Sequence, residues 1–130
     1  MKKVKKKKFK FHHKGLSNQV ENRHAVIINY KKPFLKWHYK LYPWKESNPA
    51  DRIENQCSRV SLFLCEDKKG HEKWLKKNYK RIFQEELADH AGTKKEWPKK
   101  RTYKLFRKWL RIDFADLIFD EDRHTSIDFL

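Results

Sequence analysis

The sequence predicts an α/β (α+β) fold: a small three-stranded sheet in the order β-α-β-α-α-β, helices mainly on one face, and a basic N-terminal arm. Three observations carry it. His24 to Tyr30 is a β-branched run of strand length. Residues 71–91 set Leu75, Tyr79, Ile82, Phe83 and Leu87 on one helical stripe. Residues 1–14 hold eight lysines and no acid, and that much like charge resists collapse into a core.

The chain of 130 residues has room for one domain, divided here into an arm at 1–23 and a single α/β domain with an acidic C-terminal end at 24–130. Aromatic residues make up 15%, so even a modest core fills well. The arm carries half of the +16 net charge. From Asp113 to Asp128 the sign reverses, with Asp113, Asp116, Asp120, Glu121, Asp122 and Asp128 set against Arg123.

After the first strand, Pro33 suits a first helical turn, and Phe34, Trp37, His38 and Leu41 recur at helical spacing until Pro43 ends the helix. Asn48 then caps a short turn that starts at Pro49. Val60 to Cys65 is the second strand, with Val60, Leu62 and Leu64 sharing a face. It would run parallel to the first through a right-handed crossover. The long helix from His71 stops at about Ala91, where Gly92 supplies a C-terminal cap. Pro98 begins a further helix with Tyr103, Phe106, Trp109 and Leu110 inward, and Leu117-Ile118-Phe119 is the third strand, its direction left open.

Several stretches also carry a likeness. Trp74 to Tyr79, Ile82 to Leu87, the run Trp97-Pro98-Lys-Lys-Arg101-Thr through Phe106 to Trp109, Ile118 to Asp120, and Lys32-Pro33-Phe34-Leu35 together resemble a family of small uncharacterised bacterial α/β proteins. The resemblance covers about residues 24–120 and implies a compact α/β fold with no known activity. Two departures stand out: the loop Asp89 to Lys95 lacks an aromatic pair, and the arm and the tail after Asp120 look like additions.

The charge pattern points to an anionic partner. Lys2, Lys3, Lys5, Lys6, Lys7, Lys8, Lys10 and Lys14 would neutralise phosphates with strong salt dependence, and Phe9 and Phe11 between them would stack on unpaired bases. A second basic group, Lys94, Lys95, Lys99, Lys100, Arg101, Lys104, Arg107 and Lys108, surrounds Trp97 and would form a ridge along a phosphate backbone, helped by a helix N-terminus. Between Tyr30 and Trp44 aromatics alternate with lysines. There Phe34, Trp37 and Leu41 are expected in the core, and Tyr39, Tyr42 and Trp44 are the candidates for exposed contacts.

The leading expectation is therefore a non-enzymatic accessory protein that binds RNA or a ribonucleoprotein particle such as the ribosome. The alternative is a protein-interaction module or oligomer whose arm engages an acidic protein surface. A weaker alternative is a metal-dependent nuclease or toxin using Asp113, Asp116 and Asp120. No catalytic motif is present, since the three glycines form no phosphate-cradling loop and His71-Glu72 is not followed by a second histidine at metalloprotease spacing. Cys57, Cys65 and His71 match no common zinc spacing, so no metal or cofactor is expected. With no apolar run of membrane-spanning length, no signal peptide and no CxxC pair, the expectation is a cytoplasmic location, reduced thiols and no membrane partner.

Overall fold

The computed structural model describes residues 18–55, 58–65, 67 and 69–122. The arm lysines, Phe9, Phe11, Cys57 and the tail beyond Asp122 lie outside the described residues. The elements are β1 (His24–Tyr30), α1 (Lys32–Leu41), α2 (Pro43–Glu46), β2 (Arg59–Phe63), α3 (Gly70–His90), α4 (Tyr103–Trp109) and β3 (Leu110–Ala115). Short 3-10 turns occupy Pro49–Asp51, Ile53–Asn55 and Lys94–Glu96.

The sheet order is β2-β1-β3, with both pairings antiparallel. This overturns the parallel crossover expected for the first two strands. The reason lies in Tyr39, whose hydroxyl donates to Glu54 Oε1 at 2.5 Å and accepts the Ile53 N–H at 2.9 Å. These bonds fold the segment after α2 back against α1, so the chain re-enters the sheet at the end it left. Tyr39 is accordingly buried at 6% exposure, whereas sequence placed it among exposed contacts.

Strand alternation assigns the two faces. His24, Val26, Ile28 and Tyr30 of β1 point to the helices, as do Leu110, Ile112 and Phe114 of β3. Val26, Ile28 and Leu110 join Phe34 of α1, Leu75, Ile82, Phe83 and Leu87 of α3, and Phe106 of α4 in one core. Val60, Leu62 and Leu64 do share a face, but it is the outer one, where they are 59%, 49% and 68% exposed. Ile27 lies between Val60 and Asp113, and Ala25 between Leu62 and Ala115.

The inner row of β2 is therefore Arg59, Ser61 and Phe63. An inward arginine needs an acid, and α3 supplies two. Arg59 donates to Glu86 Oε2 at 3.1 Å and to Glu85 Oε1 at 2.6 Å. Glu86, 4% exposed, also accepts the Tyr30 hydroxyl at 2.8 Å. Since that hydroxyl has one proton, the 2.7 Å contact with His90 Nε2 makes His90 the donor to Tyr30. The chain His90–Tyr30–Glu86–Arg59 thus ties β1 and β2 to α3.

The C-terminal third differs most from the sequence expectation. Helix α4 starts at Tyr103 rather than Pro98, because the Thr102 side chain accepts the Leu105 N–H at 3.1 Å and caps it there. Leu110 is the first residue of β3, not part of the helix, and the third strand is 110–115 rather than 117–119. Leu117 to Phe119 makes only an isolated bridge, Gln19 opposite Phe119. With it, Val20 N–H donates to Ile118 O at 2.7 Å and Asp120 N–H to Asn18 O at 2.8 Å. The end of the segment assigned to the arm thereby meets the acidic stretch. At the end of α3, Ala91 is extended and Gly92 does not take the left-handed conformation of a glycine cap. His38 acts there instead, through a 3.1 Å contact from Nδ1 to the His90 carbonyl.

Replacing Arg59 by Met leaves Glu86 buried without its cation and is expected to cost about 3 kcal/mol in urea denaturation. The double variant Arg59→Met with Glu86→Leu should recover much of that loss. A strictly additive result would show that the ion pair does not hold the sheet to α3.

Candidate nucleic-acid interface

Helix α1 presents Pro33, Lys36, Trp37 and Lys40 along one side, at the three- and four-residue steps that align side chains on a helix. Opposite lie Glu96, at the end of the 3-10 turn, and Trp97 and Pro98 after it, and Trp109 closes the floor. Together they enclose an open cleft of about 620 Å³ with largely apolar walls. Lys36 and Lys40 stand exposed at its rim.

The cleft is held from beneath. Trp37 donates its indole N–H to the Glu96 carbonyl at 2.7 Å, which fastens α1 to the loop. Trp37 and Trp109 approach to 5.8 Å between ring centroids, and Phe34 packs edge-on against both. The loop itself is shaped by a capping box, in which Thr93 N–H donates to Glu96 Oε1 at 3.3 Å. Trp97 carries two cations, Lys94 Nζ at 6.0 Å and Arg101 Cζ at 5.5 Å from the ring centre. Its own indole N–H is buried with no hydrogen-bond partner, at a typical cost of about 1–3 kcal/mol.

The predicted basic ridge divides in the structure. Lys94, Lys95, Lys99, Lys100, Lys104 and Lys108 are exposed. Arg101 donates to Pro98 O at 2.8 Å and leans on Trp97. Arg107 is engaged in a surface ion pair with Glu72 at 2.9 Å and bonds the Tyr103 hydroxyl at 2.9 Å. Lys99 and Lys100 precede α4 and do not share a helical face with Lys104. The expected help from the helix N-terminus is also reduced, because Thr102 already takes the Leu105 N–H. Trp44 is 63% exposed, as the sequence suggested, and Tyr42 is half-buried with Lys45 Nζ 4.9 Å from its ring centre.

What the sequence missed is the meeting of Trp37, Trp97 and Trp109, which are spread over 73 residues of chain. Each had been noted as a core or ridge aromatic, and no local pattern joins them. Asp113, Asp116 and Asp120 of the nuclease alternative do not form a group of ligand atoms close enough to share an ion. Asp113 lies on the outer sheet face, paired with Arg111 at 3.1 Å, and Asp120 accepts the Asp122 N–H at 3.2 Å. Among the described residues, the one group of ligand-type atoms close enough to share an ion is His24, Cys65 and His71. Cys65 and His71 thus lie together although their spacing matches no common zinc pattern, with His24 as the third member.

No family model, curated protein or solved structure matches the chain. No helix among the described residues is long and apolar enough to cross a membrane.

The histidines beneath the cleft give a pH signature. His38 is 1% exposed, and burial holds its pKa below the ordinary 6.5; burial does the same for His90. The Nδ1 proton of His38 serves the His90 carbonyl, but Nε2 is buried with no hydrogen-bond partner, so a second proton there would go unpaired. The unfolded chain takes up both protons near pH 6.5 while the folded chain does not. Stability should therefore fall as the pH drops below about 6.5. The melting temperature is expected to decline between about pH 7.5 and 5.5, and His38→Asn, which retains an N–H but does not titrate, should flatten that decline. Glu72 and Glu85 act in another window. Their pKa values are lowered, by hydrogen bonds from Tyr103 and Arg59 respectively, so what they contribute is lost as the pH falls below about 4.5.

Proposed function

We propose that this chain is a non-enzymatic RNA-binding accessory protein, in which the lysine arm gives salt-dependent attachment and the tryptophan cleft receives an unpaired base. The observation that carries the reading is the cleft itself, with three indoles in its walls and two lysines at its rim. Stacking between a base and an indole is tolerant of sequence and contributes about 1–3 kcal/mol per base. Lys36 and Lys40 would meet the phosphates on either side. The exposed lysines from Lys94 to Lys108 extend the same positive surface, and a ribonucleoprotein particle with single-stranded loops offers both kinds of contact.

A second reading rests on a different observation. The outer sheet face exposes Val60 and Leu62 on the edge strand β2, with Leu64 just past its end, a surface that suits association with a second copy of the chain. In that case the arm of one copy would engage the acidic end of the other.

Fluorescence anisotropy of a labelled single-stranded RNA separates the two. Trp97→Ala should weaken binding by roughly tenfold at fixed salt. Lys36→Glu with Lys40→Glu should flatten the logarithmic salt slope by about 1.4. Truncation to residues 15–130 should flatten it further. If the full chain binds no RNA at low salt, the RNA reading fails. Sedimentation equilibrium then decides the other: a dimer that dissociates on Leu62→Lys supports self-association, and a monomer at all concentrations removes it.

A further inference from the structure

At the opposite end of β1 from the cleft, three elements bring a thiol and two imidazoles together. His24 opens β1 and pairs in register with Phe63 of β2. Cys65 lies two residues beyond Phe63. Helix α3 begins at Gly70 and returns over this end of the sheet, which sets His71 against both. The approach is close, since a Cβ at Gly70 would come within 3.0 Å of Cys65 Sγ. All three side chains are half-buried.

His24 Nδ1 and His71 Nε2 are 2.6 Å apart, and one ring nitrogen of each histidine lies with Cys65 Sγ in a group whose members are within 4.8 Å of one another. At that separation one proton lies between the two nitrogens, one ring donating it and the other accepting. The rings are held by apolar neighbours. His71 stacks on Phe114 at 4.5 Å, and Phe63 packs edge-on against both histidines at 6.2 and 5.9 Å. The thiol donates to the Asp67 carbonyl at 2.8 Å.

We propose that His24 Nδ1, His71 Nε2 and Cys65 Sγ form a zinc(II) site that fastens β1 and the end of β2 to the start of α3, with water in the fourth position. A set of two imidazoles and one thiolate suits zinc and disfavours magnesium or calcium, which prefer oxygen. Metal–nitrogen bonds of about 2.0–2.1 Å in a tetrahedral site place two nitrogens roughly 3.3 Å apart. The rings therefore need to part by less than an ångström, and Cys65 needs a small rotamer change. On binding, the Cys65 thiol releases its proton to solvent and gives up its bond to Asp67. The proton shared by the imidazoles moves to a distal ring nitrogen, leaving Nδ1 of His24 and Nε2 of His71 free for the metal. One proton is released overall.

The site differs from the common zinc patterns in that His24 lies 41 residues before Cys65, so it is assembled by strand pairing rather than by spacing. It is also separate from the tryptophan cleft, and its test does not depend on RNA binding.

Two measurements on the full chain test it. Cobalt(II) titration should produce a thiolate-to-cobalt charge-transfer band, bleached by zinc(II), that survives Cys57→Ser and disappears in the near-isosteric Cys65→Ser. In the unaltered protein, zinc(II) should slow alkylation of Cys65 by at least about tenfold, read by peptide mass, while Cys57 is unaffected. His24→Ala should abolish both effects. The proposal is overturned if no charge-transfer band forms, if the band persists in Cys65→Ser, or if zinc(II) leaves the Cys65 alkylation rate unchanged.

Discussion

Helix α3 lies across one face of a three-stranded sheet, and most of the molecule follows from how it is held there. Its apolar stripe buries Leu75, Ile82, Phe83 and Leu87 completely, and burial of each such side chain is typically worth about 1.5–3 kcal/mol. Burial alone would permit the helix to slide along the sheet. The Arg59–Glu86–Tyr30–His90 chain removes that freedom, because a buried carboxylate tolerates few positions. With α3 in place, its C-terminal end meets His38 of α1 and its N-terminal end meets the start of β1.

Both candidate sites grow from those two ends. Near the C-terminal end, the His38 contact to the His90 carbonyl positions α1 against α3. The Trp37 bond to Glu96 positions it against the following loop. The cleft is the space left between α1, that loop and Trp109. Near the other end, strand pairing and the first turn of α3 gather His24, Cys65 and His71. One element thus organises a basic aromatic surface and a cluster of metal-ligand type, with the apolar core between them.

The charge of the chain is arranged around this frame rather than within it. Exposed lysines frame the cleft, whereas Arg59 and Arg107 are spent on contacts with Glu85, Glu86 and Glu72. Arginine suits such pairing, because its planar fork can bond two acceptors at once. The outer sheet face is a contrast, with an apolar row on β2 and the Arg111–Asp113 pair on β3.

The sequence by itself determined the class of fold, the first two strands, helices α1 and α3, and the Asn48 cap, because each is written in local periodicity or a short-range hydrogen bond. The alternation Leu110-Arg-Ile112-Asp-Phe114 fits a strand, yet Leu110 also continues the helical spacing of Phe106 and Trp109, so local pattern does not place the third strand. Only the tertiary structure decided the rest. Strand direction depended on the Tyr39 hydroxyl reaching Ile53 and Glu54. The inward face of β2 depended on acids at 85 and 86, which made an arginine row preferable to an apolar one. The cleft and the His24–Cys65–His71 cluster join residues far apart in the chain, and no local pattern encodes such a meeting, because it arises from the packing of whole elements.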